Sequence, residues 1–150
     1  MTLLLKILIM RNTTHVTKTI GAPYQDIWSK VSKMTDMEDI LPDMVTSTEV
    51  SHEHGDVPTR VCTTHKGESI NETIEMNGEI LQGSIGIFQY YIREISMPLS
   101  NVLGTILVRK ISDSETEVTW SANYDVEEDH AEAVRNMTKE AHETGINNLA

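Results

Sequence analysis

Residues 116–150 read TEVTWSANYDVEEDHAEAVRNMTKEAHETGINNLA, and two periodicities meet inside that stretch. Across 116–125 the apolar positions alternate. Val118, Trp120, Ala122 and Tyr124 fall on one face, with Glu117, Thr119, Ser121 and Asn123 on the other. Successive side chains of a strand point to opposite faces, so this is a strand with one buried and one wet face, as in an antiparallel sheet. From 128 the period changes. Ala131, Val134, Met137 or Thr138, Ala141 and Gly145 or Leu149 recur at helical spacing, which predicts a helix over 128–149. Glu127, Glu128 and Asp129 at its start suit the positive end of the helix dipole. The stripe is mostly small. Ala is a good helix former in its own right, but a helix that only sealed a dry core would more often carry Leu and Ile, and small residues against a sheet leave a pocket.

More strands lie upstream. The segment 102–111 joins 116–125 through Ser112-Asp113-Ser114-Glu115, a turn rich in local hydrogen-bonding side chains. Residues 84–95 start after Gly83 and stop at Met97-Pro98-Leu99-Ser100-Asn101. The pairs 45–54 with 58–66, and 58–66 with 69–77, flank the hairpin signals Gly55-Asp56 and Lys66-Gly67-Glu68. Residues 13–20 are β-branched and read as a first strand. Pro23 then opens a short helix over 23–32, with Tyr24, Ile27, Trp28 and Val31 at helical spacing. Thr35 or Asp36 caps a second short helix running through Leu41 and stopped by Pro42. A strand, two short helices, six strands and a long helix make an α+β chain, and residues 1–150 are expected to form one domain with 1–11 outside its core.

At this point the chain resembles the polyketide cyclase/dehydrase-like proteins of the START and Bet v 1-type superfamily, the helix-grip fold. The resemblance rests on Ile20-Gly21-Ala22-Pro23-Tyr24-Gln25-Asp26-Ile27-Trp28-Ser29-Lys30-Val31-Ser32 after the first strand. It continues in Ile40-Leu41-Pro42, Arg60, Gly67 with Glu72, and Val118-Thr119-Trp120. It implies a seven-stranded curved antiparallel sheet wrapped around the C-terminal helix, with a cavity between them. Relatives of this kind include carriers, cyclases, dehydratases and co-chaperone-like activators, and the fold does not choose among them.

Composition narrows the partners. Lys and Arg number 12 against 23 Asp and Glu, a formal net charge of −11 that disfavours phosphate backbones and anionic lipid surfaces. Nucleic acid is therefore not an expected partner, whereas a homodimer is compatible with the sequence. The opening MTLLLKILIM is interrupted by Lys6, is too short to span a bilayer, and is followed by no small-residue cleavage site. It reads as an extra packed segment or as residues ahead of a start at Met10. The single cysteine, Cys62, has no internal partner, which fits a reducing compartment and a cytoplasmic location.

Arg60 and Glu72 carry the most chemical interest. Arg60, Cys62 and Thr64 share one face of their strand; Ile70, Glu72, Ile74 and Met76 share one face of the next. A carboxylate among apolar neighbours is costly unless paired, and Arg supplies a two-donor fork. The pair is either a structural ion pair or the anchor for the polar end of a ligand. Phe88 and Tyr90, with Gly86 opening space beside them, join Trp120 and Tyr124 as aromatic surface carrying a few hydroxyls. The expected ligand contacts are Arg60, Glu72, Ile74, Phe88, Tyr90, Ile106, Trp120, Val134, Met137 and Ala141. His142 beside the helix stripe reads as a surface residue, or more sharply as a hydrogen-bonding group in the pocket. His52 and His54 share a strand face, half of a metal site without an evident third ligand. No phosphate loop, Cys-x-x-Cys, nucleophile elbow or HExxH is present in the sequence, so no cofactor and no metal is expected.

Three functions fit: a binding module for a small hydrophobic molecule, a cyclase or dehydratase moving a proton with a polar pair, and a protein-interaction or co-chaperone-like module.

Overall fold

The computed structural model describes residues 7–52 and 57–150. The elements are β1 (Ile9–Ile20), α1 (Tyr24–Ser32), α2 (Met37–Ile40), β2 (Val45–Ser51), β3 (Thr59–Thr64), β4 (Ser69–Leu81), β5 (Ile85–Glu94), β6 (Leu99–Lys110), β7 (Thr116–Glu127) and, after a single 3₁₀ turn at Glu128–His130, α3 (Ala131–Asn147). The seven strands form one antiparallel sheet in the order β1-β7-β6-β5-β4-β3-β2. The α+β helix-grip architecture is therefore as the sequence implied. The Gly55-Asp56 turn and His54, and with it the His52–His54 pair, lie outside the described residues.

The alternation that opened the sequence reading holds along all of β7. Val118, Trp120, Ala122, Tyr124 and Val126 are buried, and the residues between them are half-buried. On α3 the buried positions are Val134, His142, Gly145 and Ile146, with Leu149 just beyond and Ala131 packed at the edge. The helix packs on β1 and β7 and touches α2. Helix α1 buries Tyr24, Ile27, Trp28 and Val31, as its spacing dictates.

The differences from the sequence reading are local. β1 starts at Ile9, ahead of the expected Thr13, because backbone pairing with β7 continues through Ile9 opposite Glu127. β6 starts at Leu99 rather than 102. Asn101 adopts a left-handed φ of 50° at an interruption of register between Ser100 and Leu103, so the pairing resumes after a bulge instead of ending. Asp36 stands at the N-cap of α2, but its side chain caps nothing there; Met37 N–H donates to Thr48 Oγ1 at 3.0 Å. β4 runs on to Leu81 and carries a bulge between Ile74 and Met76. The extra residue turns Met76 out, where it is 47% exposed rather than beside Ile70, Glu72 and Ile74. Such bulges bend strands and raise their twist, which suits a sheet that wraps a helix.

Candidate functional site: a cavity under the C-terminal helix

Between the sheet and α3 lies a cavity of about 100 Å³. Its floor is Cys62, Ile70, Glu72, Tyr90, Ile92, Val102, Trp120 and Ala122 from strands β3 to β7. Met137, Thr138, Ala141 and His142 of α3 close one side; Met37, Leu41 and Met44 close another, with Ile95, Met97 and Leu99 completing the wall. Shallower grooves adjoin it at Met44 with Met137, and at Met44 with Ile95 and Met97. Four methionines thus border the space. Their unbranched chains adapt to irregular shapes better than branched ones do.

Two glycines set the shape of the floor. Gly104 on β6 lies directly opposite Tyr90 on β5, and the Tyr90 ring occupies the space where a Cβ of residue 104 would stand. Gly145 on α3 admits Trp120 in the same way: a Cβ there would meet Trp120 Cζ3 at 2.5 Å. Tyr90 and Trp120 can therefore lie close to the backbone. Trp120 Nε1–H donates to Tyr90 Oη at 3.0 Å, and His142 stacks on Trp120 with ring centroids 4.6 Å apart and planes 9° from parallel.

Arg60 and Glu72 face each other directly across β3 and β4. The turn at Lys66-Gly67-Glu68, with Gly67 at a left-handed φ of 78°, sets that register. Arg60 is 1% exposed and Glu72 6%. Arg60 Nε–H donates to Glu72 Oε2, Arg60 Nη1 donates to Met34 O at 3.3 Å, and the guanidinium lies over Phe88 at 4.9 Å and Tyr90 at 5.8 Å. Arg60 Nη2 is buried without a hydrogen-bond partner, so Glu72 and the two rings offset only part of the cost of burying the charge. Glu72 forms part of the cavity wall, whereas Arg60 sits behind it.

The structure gathers Glu72, Tyr90, Trp120, Met137 and Ala141 of the expected residues around the cavity. Ile74, Phe88, Ile106 and Val134 are buried in the core beside it and do not line it. The hollow at Gly86, expected to open the pocket, is filled instead by Trp28: a Cβ there would meet its Cε3 at 2.5 Å. His142 is not on the helix surface. It is 7% exposed and belongs to the cavity wall, because the stripe facing the sheet is wider than the residues at strict spacing suggested. Met37, Met44, Met97 and Gly104 escaped sequence reasoning. Eight Met against 5% aromatic residues was the available signal for a soft-walled interior.

Burial tunes the ionisable groups of the wall. It pushes the Cys62 thiol up to about 12, helped by the Glu72 charge. Burial, then Glu72, raises the Tyr90 phenol above its ordinary value. His142 is lowered to about 4 by burial, so its imidazole is neutral at pH 7. Among the described residues no group of three potential metal ligands occurs, and no helix is long and apolar enough to cross a membrane.

Solved structures share this architecture at low identity. An uncharacterised protein of Bacillus thuringiensis superposes with a TM-score of 0.74 at 22% identity, covering 92% of this chain and 96% of that one. An aromatase/cyclase from a Streptomyces species gives 0.70 at 14% identity, over 93% and 92% of the two chains. Norcoclaurine synthase from Thalictrum flavum gives 0.65 at 15%, over 97% and 95%. No curated protein matches the chain. The family model described as polyketide cyclase/dehydrase and lipid transport matches residues 11–150, and with the sheet, the gripped helix and the cavity in agreement, the chain belongs to that family.

Proposed function

We propose that the protein binds a compact, largely apolar molecule in the cavity between the sheet and α3. The observation that carries this reading is the cavity itself: a partly open space of about 100 Å³ with a mostly apolar wall, floored by Tyr90 and Trp120, which lie close over Gly104 and Gly145, and bordered by the small residues Thr138 and Ala141 of α3. Drug-sized ligands occupy about 300–1,000 Å³, so the occupant is small, about one ring, or is admitted as the methionines move aside. Proteins of similar architecture include an aromatase/cyclase and a norcoclaurine synthase, which keeps a proton-moving enzyme as the second reading. What favours binding is the charge state of the wall. A general acid or base works best with a pKa near the operating pH, and Cys62, Tyr90 and His142 are all displaced away from neutrality.

A solvatochromic apolar dye should brighten and shift to the blue with this protein, and toluene should displace it. Ala141→Phe places a ring in the cavity from the helix side and should abolish the signal while far-ultraviolet circular dichroism stays unchanged. No dye binding and no toluene binding to the unaltered protein would refute the reading.

A further inference from the structure

Protein interiors leave few buried polar groups without partners, and each exception calls for a cause. The cavity wall holds one that stands out. His142 is 7% exposed, yet its Nδ1 is buried with no hydrogen-bond partner. Among the described residues its ring makes no hydrogen bond; its packing partner is the flat face of Trp120. Next to it, on the same indole, lies Tyr90. The Tyr90 oxygen accepts the Trp120 N–H, but its own hydroxyl hydrogen has no protein acceptor among the described residues. A neutral imidazole offers one bare nitrogen and one N–H, and a phenol offers one O–H. An unpartnered imidazole nitrogen, an acceptor when the ring proton sits on Nε2, and an unsatisfied hydroxyl donor therefore flank Trp120 in a mostly apolar space.

Resting on the reading of the cavity as a ligand site, we propose that His142 and Tyr90 are the polar contacts of the ligand, and that the ligand is a neutral, single-ring molecule bearing a hydroxyl group. A hydroxyl both donates and accepts, so it satisfies the bare imidazole nitrogen and the tyrosine hydroxyl together. A ketone or ether only accepts: it meets the tyrosine O–H, but with the His142 proton on Nε2 it leaves Nδ1 empty. An ion has no counter-charge to meet: Glu72 is taken up by Arg60, and the remaining wall is mostly hydrocarbon and sulfur. The size follows from the volume. Apolar cavities of about 150 Å³ accept benzene, and this one, at about 100 Å³ with methionines on its border, is of that order.

Phenol and toluene differ by a hydroxyl against a methyl of similar volume, and both are titrated into the protein by ligand-observed and protein-observed NMR. Phenol should bind about tenfold more tightly than toluene, the size of one buried hydrogen-bonding group left unpaired. In His142→Phe, which keeps a flat ring on Trp120, toluene affinity should survive and the preference for phenol should fall towards one. Should that variant not fold, the ring nitrogens of His142 in the unaltered protein give the answer: their ¹⁵N shifts should move with phenol and not with toluene. Equal affinities, or ¹⁵N shifts indifferent to phenol, overturn the hydroxyl assignment and leave the cavity as an apolar site. Failure of both molecules to bind overturns the assignment together with the binding function.

Discussion

Two glycines interrupt the inner face of the sheet on neighbouring strands, and the molecule treats them differently. At Gly86 on β5 the hollow is filled from outside the sheet, by Trp28 of α1. Around it Ile27, Phe88, Val108 and Val118 are wholly buried, and Val108 and Val118 continue the line of Gly86 across β6 and β7. At Gly104 on β6 the hollow is filled from within, by Tyr90 of the adjacent strand lying nearly in the sheet. The next residue in that line is Ala122, another small one, and the helix above it presents Met137, Ala141 and His142. One end is thus a ring plugged into a socket. At the other end the ring is laid flat, and the height it would have filled stays empty. A glycine alone does not make a pocket; what matters is whether a neighbouring element supplies the side chain that occupies it.

The sharpest way to break this comparison is to unplug the filled end. Trp28→Ala removes a buried indole from its socket at Gly86, and truncations of this kind cost about 3–5 kcal/mol because the surroundings cannot collapse into the void. Urea unfolding should show that loss. Toluene binding at the distant cavity should persist in conditions where the variant is folded. Loss of binding without loss of stability would mean that the two ends are one connected space.

Arg60 lies over Phe88 and Tyr90, and its partner Glu72 belongs to the cavity wall. Glu72→Gln keeps the shape of the side chain and removes its charge, leaving Arg60, 1% exposed, without a counter-ion. Breaking such a pair costs about 3–5 kcal/mol, and the retained amide oxygen as an acceptor for Arg60 places this variant near 3. Phenol affinity of the folded variant should change less than about threefold, since the hydroxyl is assigned to His142 and Tyr90. A tenfold loss with unchanged stability would instead place Glu72 among the ligand contacts.

The two ends also differ in how readable they were. The filled end follows from local rules. Tyr24, Ile27, Trp28 and Val31 repeat at helical spacing and β7 alternates cleanly, and a periodic pattern needs no knowledge of what it will face. The fold is legible for that reason. The open end depends on pairings far apart in the chain. Gly104 matters because it meets Tyr90 across two strands, and His142 because it meets Trp120 from a helix. Neither meeting leaves a mark in the neighbouring sequence. The Gly67 turn marked the hairpin but left its register open in the sequence, and the pairing that sets Arg60 opposite Glu72 is seen only in the fold. The bulge between Ile74 and Met76 left no sign in the sequence at all.

The smallest expected effect is an acid sensitivity that belongs to the open end alone. The unfolded His142 imidazole titrates near its ordinary value of 6.5, while the folded one is lowered to about 4 by burial. Between those values the unfolded chain takes up a proton that the folded chain excludes. Stability from this group is therefore complete above about pH 6.5 and is lost progressively as the pH falls towards 4. The loss reaches about 2 kcal/mol at pH 5. Carboxylates elsewhere also titrate in this range, so the measurement is a difference. Urea midpoints are taken from pH 7.5 to 4.5 for the unaltered protein and for His142→Phe, and the variant's profile should be flatter by about that amount. Phenol should deepen the wild-type slope, because a ligand that holds the bare imidazole nitrogen binds only the neutral form and lowers the folded pKa further. Parallel profiles for the two proteins would mean that the imidazole can accept a proton without disturbing the fold, and that the space beneath α3 is already wet.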